Sequence, residues 1–330
     1  MGCRETRRCY TAAITFAPPS QRPRVGGLTM QQVTVRVPAS TSNLGPGYDC
    51  LGVALRLYNS VTVVRDKKPR SSHPRIVSDA AERFFKQTRR RAFSFSCSIV
   101  ERVPRCRGLG SSATVRLGIL LALNRLTGDP LDRLSLFGLC TELEGHPDNA
   151  APASFGGFTV VGSACCAGRT PKPGVPTVQC FSVSSRLSFV LVVPDLEIET
   201  SKARRVLPKE ISRVVAVQNS ANACAITAAF ASRDYEKMRG AFSDNLHQPF
   251  RTKLIPFLPR VIAAAENAGA LGGFLSGSGS TIAAVTLHAS KKVAAVMARA
   301  AGDITGRTIT TRADNRGAQV FSHRSPITDH

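Results

Sequence analysis

The chain has 330 residues, 43% of them hydrophobic, which is enough to bury the core of one large domain or two smaller ones. Its longest apolar runs, such as residues 189–194, fall well short of the roughly 20 residues that cross a bilayer, so no membrane partner is predicted. The formal net charge of +22 favours anionic ligands. The arginines are scattered apart from one dense basic patch at 65–91, and no Trp is present for base stacking, so no nucleic acid is expected.

The ten cysteines are scattered, without a C-x-x-C pair or His spacing suited to zinc. This pattern is typical of reduced thiols and predicts a cytoplasmic protein. Residues 1–29 are rich in Arg and Pro and nearly free of acidic residues, which predicts a dispensable N-terminal tail. A transit peptide and a start codon assigned too early both remain compatible with that tail.

The first predicted domain, residues 30–175, is rich in strands. β-Branched and alternating apolar residues predict strands at 33–37, 60–64 and 93–99, with a polar loop between the first two. Helical spacing predicts helices at 111–126 and 131–144, separated by a Thr-Gly-Asp-Pro stop. A Gly-, Pro- and Cys-rich stretch at 162–176 is predicted to be the domain boundary or a long hairpin.

The second predicted domain, residues 176–330, mixes strands and helices. Strands are predicted at 187–193, on both sides of the glycine turn in 272–285, and once more before a polar tail. Helices are predicted from 201, at 218–232, 256–268 and 290–301. The chain therefore predicts a mixed α+β protein in two halves, without an internal repeat.

The segment 104–113 reads PRCRGLGSSA and leads directly into a predicted helix. Its glycines allow the backbone to approach an anion, and unpaired N–H groups at a helix start bind phosphate. The serine hydroxyls add donors and are able to ligate Mg²⁺. The segment lacks the Lys of the common phosphate loop, and by itself it is also compatible with an ordinary serine N-cap.

Three other segments concentrate polar residues around glycines. PASTSNLGPGYDCLG at 38–52 predicts a tight loop that carries Asn43 and Asp49. LEGHPDNAAPASFGG at 143–157 places a carboxylate, Glu144, at a helix end where it suits Mg²⁺. The third segment is the glycine turn at 272–280. Each segment alone is also compatible with a plain turn or a solvated helix end.

In this order and spacing, SNLGPGYDCLG, RGLGSSA, EGHPDNAAPASFGG and LSGSGSTIAAV resemble the GHMP small-molecule kinases, and within them the homoserine kinases. The resemblance covers residues 33–320. It implies a two-domain α+β fold with a β-rich N-terminal domain, a ferredoxin-like C-terminal domain and an active site in the cleft between them. It also implies transfer of the ATP γ-phosphoryl group to the hydroxyl of L-homoserine, giving O-phospho-L-homoserine for threonine biosynthesis.

The resemblance also implies which residues serve the nucleotide. Those expected to bind the ATP phosphates are Pro104, Arg107, Gly108, Leu109, Gly110, Ser111 and Ser112. Ser112 and Glu144 are expected to hold Mg²⁺ and to take part in catalysis, with Glu142 as the competing carboxylate. Asn149 stands where some relatives have an Asp, so we predict that it positions the hydroxyl and that no dedicated general base is used.

A zwitterionic acceptor needs an anion for its ammonium and cations for its carboxylate. The residues expected to meet the ammonium are Asp49, Asn43 and His146. The segments 199–208 and 248–256 resemble family segments whose arginine binds the carboxylate, which implies Arg204 and Arg251 beside Thr200. The planar guanidinium suits this role because it donates two parallel hydrogen bonds.

Four residues around the phosphate segment depart from the family pattern: Arg105, Cys106, Thr114 and Arg116. They leave room for an altered nucleotide affinity. Two other interpretations stay open, namely a GHMP kinase that acts on another small alcohol and a basic nucleic-acid-binding protein on the same scaffold. A homodimer is an open alternative to a monomer.

Overall fold

Two antiparallel sheets organise residues 31–66, 73–162 and 177–323, the residues that this computed structural model describes. The predicted tail at 1–29 and most of the predicted boundary stretch, residues 163–176, lie outside them. The first sheet has six strands, ordered β10-β1-β2-β4-β5 with β3 also paired to β2. Its strands are β1 (Gln32–Asn43), β2 (Gly47–Arg65), β3 (Phe95–Val100), β4 (Phe158–Gly162), β5 (Thr177–Phe181) and β10 (Gln319–His323).

Four helices lie among the strands of the first sheet along the chain: α1 (Arg75–Thr88), α2 (Ser111–Leu126), α3 (Arg133–Glu144) and α4 (Ala150–Phe155). Helix α2 packs on β1 and β2. A Cβ at its Gly118 would lie 2.6 Å from a methyl carbon of Val61, so the missing side chain allows close helix–sheet contact. This packing fixes the start of α2 beside the ends of the two central strands.

Helix α1 was not predicted, because residues 65–91 appeared to be a dense basic patch. Its buried residues are Val77, Ala80, Ala81 and Phe84. They follow the i, i+3, i+4, i+7 spacing of an amphipathic helix, and the basic side chains occupy its other faces. The density of basic residues was therefore misleading, because the apolar face of this segment packs on the core as a helix.

The second sheet has four strands in the order β7-β8-β6-β9. Its strands are β6 (Ser188–Pro194), β7 (Gly272–Leu275), β8 (Ile282–Thr286) and β9 (Gly306–Arg312). Helices α8 (Leu258–Asn267) and α9 (Ser290–Ala301) pack against this sheet. With α8 and α9 as its two crossing helices, this strand order is that of the ferredoxin-like βαββαβ unit, as the family resemblance implied.

Between β6 and α8 the chain inserts α5 (Thr200–Arg205), α6 (Arg213–Ser232), a 3₁₀ turn at Tyr235–Met238 and α7 (Gln248–Arg251). Strands β5 and β10 follow residue 176 in the chain, yet both pair within the first sheet. All described residues belong to one compact unit. The division at residues 175/176 stays a prediction.

Helix α6 departs from the expectation that no helix suits a bilayer. By length and composition it is apolar enough to span one, and 22% of its most apolar window is buried. Its polar side chains nevertheless bind the rest of the fold: Asn219 donates to the carbonyl of Pro46 (2.5 Å) and Asn222 donates to that of Ser243 (2.9 Å). These contacts make α6 a packed element of the fold.

Candidate active site

An open pocket with an empty volume of about 700 Å³ gathers the polar segments that the sequence singled out. The predicted site residues that line it are Asn43, Asp49, Pro104, Arg107, Gly108, Leu109, Gly110, Ser111, Ser112, Glu144, His146, Asn149, Thr200, Arg204 and Arg251. Residues that line it without having been assigned a role are Tyr48, Cys106, Asp148, Ile198, Glu199, Gly277 and Ser278. The roles of the individual residues stay predictions.

The first motif is mostly strand, so the tight loop predicted over 38–52 is wrong in its extent. Strand β1 runs to Asn43 and β2 begins at Gly47. Asn43 and Asp49 adopt positive φ angles of 72° and 57°. The Asn43 side chain accepts the N–H of Asp49 (3.0 Å) and donates to the carbonyl of Gly277 (3.0 Å). Asn43 therefore holds the bend that carries Asp49.

Glycines shape the backbone at the start of α2. Gly108 and Gly110 have φ angles of +71° and +67°. A Cβ at Gly108 would lie 2.0 Å from the carbonyl oxygen of Ser276, and one at Gly110 would lie 2.2 Å from Oγ of Ser40. Gly110 is the N-cap of α2, and no side chain among the described residues caps this helix. The ordinary serine N-cap is therefore not formed, and the N–H groups of the first turn lie at the pocket.

The glycine turn after β7 braces this backbone from the other side. The Ser276 hydroxyl donates to the carbonyl of Gly108 (2.7 Å), and the N–H of Thr281 donates to that of Arg107 (3.2 Å). The Arg107 guanidinium donates to the carbonyl of Pro194 (2.7 Å) and lies 3.3 Å from Glu197. Two chain-distant segments, the turn at 276–281 and residues 194–197, therefore fix the conformation of the phosphate segment.

Ser112, in the first turn of α2, is in contact with Glu144. The Ser112 hydroxyl donates to Oε1 of Glu144 at 2.7 Å, so the two predicted metal ligands are adjacent. Hydroxyl and carboxylate oxygens are the donors that Mg²⁺ prefers. Arg116 forms an ion pair with the same carboxylate oxygen. Glu142 instead pairs with Arg83 on the surface (2.7 Å) and does not line the pocket.

Asn149 is buried directly beside the phosphate segment. Its Oδ1 accepts from the Ser40 hydroxyl (2.7 Å), and its Nδ2 donates to Oγ of Ser42 (3.1 Å) and to Oδ1 of Asp148 (3.3 Å). A Cβ at Gly110 would lie 2.9 Å from Asn149 Oδ1. The orientation of the amide is thus fixed next to the site of the phosphates.

His146, which is half-buried, and the buried Asp148 form a pair in which Nδ1 lies 2.6 Å from Oδ1. Burial lowers the pKa of His146, but the hydrogen bond and charge of Asp148, with smaller contributions from Glu144 and Asp49, raise it above its usual value. Burial raises the pKa of Asp148, but the bond and charge of His146 bring it below its usual value. Among the three residues expected to bind the ammonium, only Asp49 brings a negative charge.

Asp49 is bound by Arg204 through two hydrogen bonds of 2.9 and 2.8 Å. The Asp49, His146 and Asp148 side chains offer ligand atoms within 4.8 Å of one another, a set that suits a small cation. Arg204 is already hydrogen-bonded to Asp49, and His146 to Asp148. The predicted ammonium site is therefore acidic and internally charge-paired.

Arg251 is only 2% exposed, yet it lines the same pocket. Its Nε donates to the carbonyl of Ala203 (3.2 Å), and its Nη1 donates to that of Gly277 (2.8 Å). The guanidinium groups of Arg251 and Arg204 each lie 5.5 Å from the Tyr48 ring centre. Arg251 was predicted from the sequence. Tyr48 and Gly277 were not, because tertiary contacts that motif spacing does not reveal bring them to the pocket.

The chain is similar to known proteins over most of its length. Residues 75–157 match the family model described as GHMP kinases N terminal domain, and residues 226–303 match that described as GHMP kinases C terminal. Homoserine kinase of Microchaete diplosiphon is 35% identical over 310 residues, covering 89% of this chain and 98% of that protein. Homoserine kinase of Carboxydothermus hydrogenoformans is 37% identical over 268 residues, covering 77% and 84%.

The fold comparison agrees with this relationship. The crystal structure of homoserine kinase from Cytophaga hutchinsonii superimposes with a TM-score of 0.78 at 25% sequence identity. The superposition covers 93% of this chain and 100% of that one. The chain therefore belongs to the homoserine kinase family of the GHMP kinases.

Proposed function

We propose that the protein transfers the γ-phosphoryl group of ATP to the side-chain hydroxyl of L-homoserine, giving O-phospho-L-homoserine and ADP. The observation that carries this proposal is the joining of two chemistries in one pocket. A glycine backbone at a helix start suits phosphate, and an acidic and basic pair, Asp49 and Arg204, suits a zwitterion.

At the nucleotide end, the N–H groups that follow Gly108 and Gly110 are assigned to the phosphate oxygens. Their fixed orientation, together with the positive end of α2, stabilises charge that develops on the transferred group. Ser112 and Glu144 would hold Mg²⁺, which neutralises phosphate charge when it is bound. Arg116 adds a positive charge at the same carboxylate.

At the acceptor end, Asp49 is assigned to the ammonium, and Arg204 and Arg251 to the carboxylate. We assign the acceptor hydroxyl to Asn149, which borders the phosphate segment at Gly110. Phosphoryl transfer depends chiefly on positioning and charge stabilisation. Holding the hydroxyl at Asn149 therefore accounts for the main contribution of the chain on the acceptor side.

We assign the activity to threonine biosynthesis in the cytoplasm. The six described cysteines are all free, which suits a compartment that keeps thiols reduced. A homodimer is the assembly that stays open to test. Neither assignment is needed for the chemistry of the pocket.

The proposal is tested by measuring ADP release with L-homoserine, mevalonate, galactose and no acceptor, each with Mg²⁺ and ATP. Phosphorus NMR of the product then identifies a phosphomonoester on the acceptor hydroxyl. We expect turnover only with homoserine. Faster turnover with another alcohol would reassign the acceptor. Absence of turnover together with salt-sensitive RNA binding would favour the nucleic-acid interpretation.

A further inference from the structure

A buried histidine, His247, lies beside the pocket and has no part in the chemistry proposed so far. Its side chain is fully buried. Asp244 Oδ2 accepts the N–H groups of His247 (3.1 Å) and Gln248 (2.7 Å), which anchors the single turn of α7. Within this anchored turn, the side chains of His247 and Arg251 are four residues apart and in contact.

The two ring nitrogens of His247 have partners that determine the tautomer. Nε2 lies 2.8 Å from the carbonyl oxygen of Gly45, which only accepts hydrogen bonds, so Nε2 carries the proton. Nδ1 lies 3.2 Å from Nη1 of Arg251, which only donates, so Nδ1 is unprotonated. The ring is therefore a neutral imidazole whose lone pair faces the guanidinium.

Burial and the charge of Arg251 keep this ring neutral. Burial lowers the pKa of His247 below its usual range, and the positive charge of Arg251 lowers it further. Asp244, on the same turn, and Asp148 act in the opposite direction but do not outweigh burial. The Tyr48 ring packs against the imidazole, with centroids 5.3 Å apart. Nδ1 therefore stays an acceptor under neutral conditions.

The hydrogen bonds of Arg251 leave one nitrogen free. Nε is bound to Ala203, and Nη1 is bound to both Gly277 and His247. Nη2 has no hydrogen-bond partner among the described residues, and Arg251 lines the pocket. Every bond that orients the guanidinium is thus made by Nε or Nη1, and Nη2 is left to meet a ligand.

We propose that His247 is a positioning residue for acceptor recognition: by accepting from Nη1, it fixes the Arg251 guanidinium so that Nη2 is free for the acceptor carboxylate. This inference rests on the proposed function, because it assumes that the acceptor carries a carboxylate. It predicts that His247 governs discrimination for that carboxylate and leaves nucleotide binding unchanged.

The test compares two acceptors that differ only in the carboxylate, L-homoserine and 3-aminopropan-1-ol. In His247→Leu we expect kcat/KM for homoserine to fall about tenfold or more, because the charged guanidinium loses a hydrogen-bond acceptor that fixes it. We expect kcat/KM for the amino alcohol and KM for ATP to be essentially unchanged. His247→Asn, which keeps an acceptor near the position of Nδ1, should restore most of the preference for homoserine.

Controls separate positioning from a general loosening of the fold. Gln248→Met removes a buried amide on the same turn, whose Oε1 accepts the N–H of Leu275 at 2.6 Å. This amide is not a hydrogen-bond partner of the Arg251 guanidinium, which is bound to Ala203, Gly277 and His247. This variant should lower kcat/KM for both acceptors alike or for neither. Arg251→Ala should abolish the preference for homoserine, and adding His247→Leu to it should cause no further loss.

The outcomes are distinguishable. Equal losses for both acceptors in His247→Leu, or an additive loss in the double variant, would overturn the inference. If His247→Leu does not fold, His247→Gln replaces it, because Gln keeps a donor toward Gly45 while lacking the Nδ1 acceptor. A wild-type protein that turns over neither homoserine nor the amino alcohol would instead overturn the proposed function.

Discussion

Arg204 and Asp49 bind each other through two parallel hydrogen bonds, Nη1 to Oδ2 at 2.9 Å and Nη2 to Oδ1 at 2.8 Å. From the sequence we assigned these residues to opposite ends of a zwitterion. In the structure each satisfies the charge of the other. An α-amino acid that binds here replaces one ion pair by two, so neither protein charge becomes unpaired when the acceptor enters.

Arg204→Ala and Asp49→Asn should each raise KM for homoserine about 10- to 100-fold, because each leaves one charge of the acceptor and one of the protein without a partner. Initial rates at saturating ATP measure this change. Arg205→Ala, an exposed residue of the same helix, is the matched control and should leave KM unchanged. An unaltered KM in both site variants would contradict the assignment.

Gly108→Ala should weaken ATP binding and stability together. The added Cβ would lie 2.0 Å from a carbonyl oxygen that is held in place, whereas a Cβ at Gly128, also at positive φ, has open space. Gly128→Ala therefore measures the backbone cost alone, about 1–2 kcal/mol. We expect Gly108→Ala to lower Tm further and to raise KM for ATP, which only this variant should affect. Equal behaviour of the two variants would show that the close contact is unimportant.

Helices bounded by strong local signals were predicted well from the sequence. Helices α2 and α9 begin and end at the predicted residues, because a glycine precedes the first, Thr-Gly-Asp-Pro follows it, and a Gly closes the second. Helix α1 was missed, since its arginines and lysine suggested a solvated patch. The positive φ angles of Asn43 and Asp49 could not be predicted from a local pattern either, because contacts with distant segments maintain them.

The site was predicted where residue type and motif coincided. Arg251 carries a charge that suits the carboxylate, so it could be singled out. The role of His247 depends on its contact with Gly45, about 200 residues earlier in the chain, because that contact fixes the tautomer of the ring. Such a contact leaves no periodic signal, although a His four residues before a candidate Arg is a local cue worth testing in related sequences.

The choice between Glu144 and Glu142 as the metal ligand is open to a direct test. Glu144→Gln should raise the free Mg²⁺ concentration needed for half-maximal activity about tenfold or more, because a carboxylate is the main charge that the chain offers the ion. Glu142→Gln should not, since Glu142 pairs with Arg83 outside the pocket. The reverse result would move the metal site to the surface side of α3.

Arg116→Ala should act in the opposite direction and lower the Mg²⁺ requirement. The Arg116 guanidinium pairs with the carboxylate oxygen that also accepts from Ser112, so it competes with a cation there. Arg125→Ala, which breaks an ion pair with Asp129 at the far end of the same helix, is the control. Magnesium titrations of ATP binding read out both variants without depending on turnover. A higher Mg²⁺ requirement in Arg116→Ala would show that the arginine supports the metal site.

The pair of His146 and Asp148 should make stability depend on pH in a defined window. Because the folded pKa of His146 lies above 6.5, its stabilisation is fully present below pH 6.5 and is lost as pH rises through the folded pKa. The folded pKa of Asp148 lies below 3.8. Asp148 therefore contributes to stability above pH 3.8 and loses this contribution as the pH falls through its folded pKa. The pair therefore stabilises the fold most between pH 3.8 and pH 6.5.

Differential scanning calorimetry from pH 5 to 9 checks this window. The Tm difference between wild type and His146→Gln should be largest near pH 5–6 and should shrink as the pH rises. The subtraction is needed because His247 has a lowered pKa and its effect on stability has the opposite sign at low pH. A difference that grows with pH would contradict a protonated His146.

Asp148→Asn tests whether catalysis proceeds without a general base. Asp148 is the carboxylate beside Asn149, but it is buried, bound to His146, and has a lowered pKa, so it is a weak proton acceptor. A general base contributes about 10²–10⁴-fold to a rate, so loss of a true base would reduce kcat by at least the lower figure. We expect a reduction of less than about tenfold, because the hydroxyl is positioned by Asn149 and loses its proton late in the transfer. If Asp148→Asn abolished transfer while ATP and homoserine still bound with unchanged affinity, Asp148 would be the base and Asn149 only its neighbour.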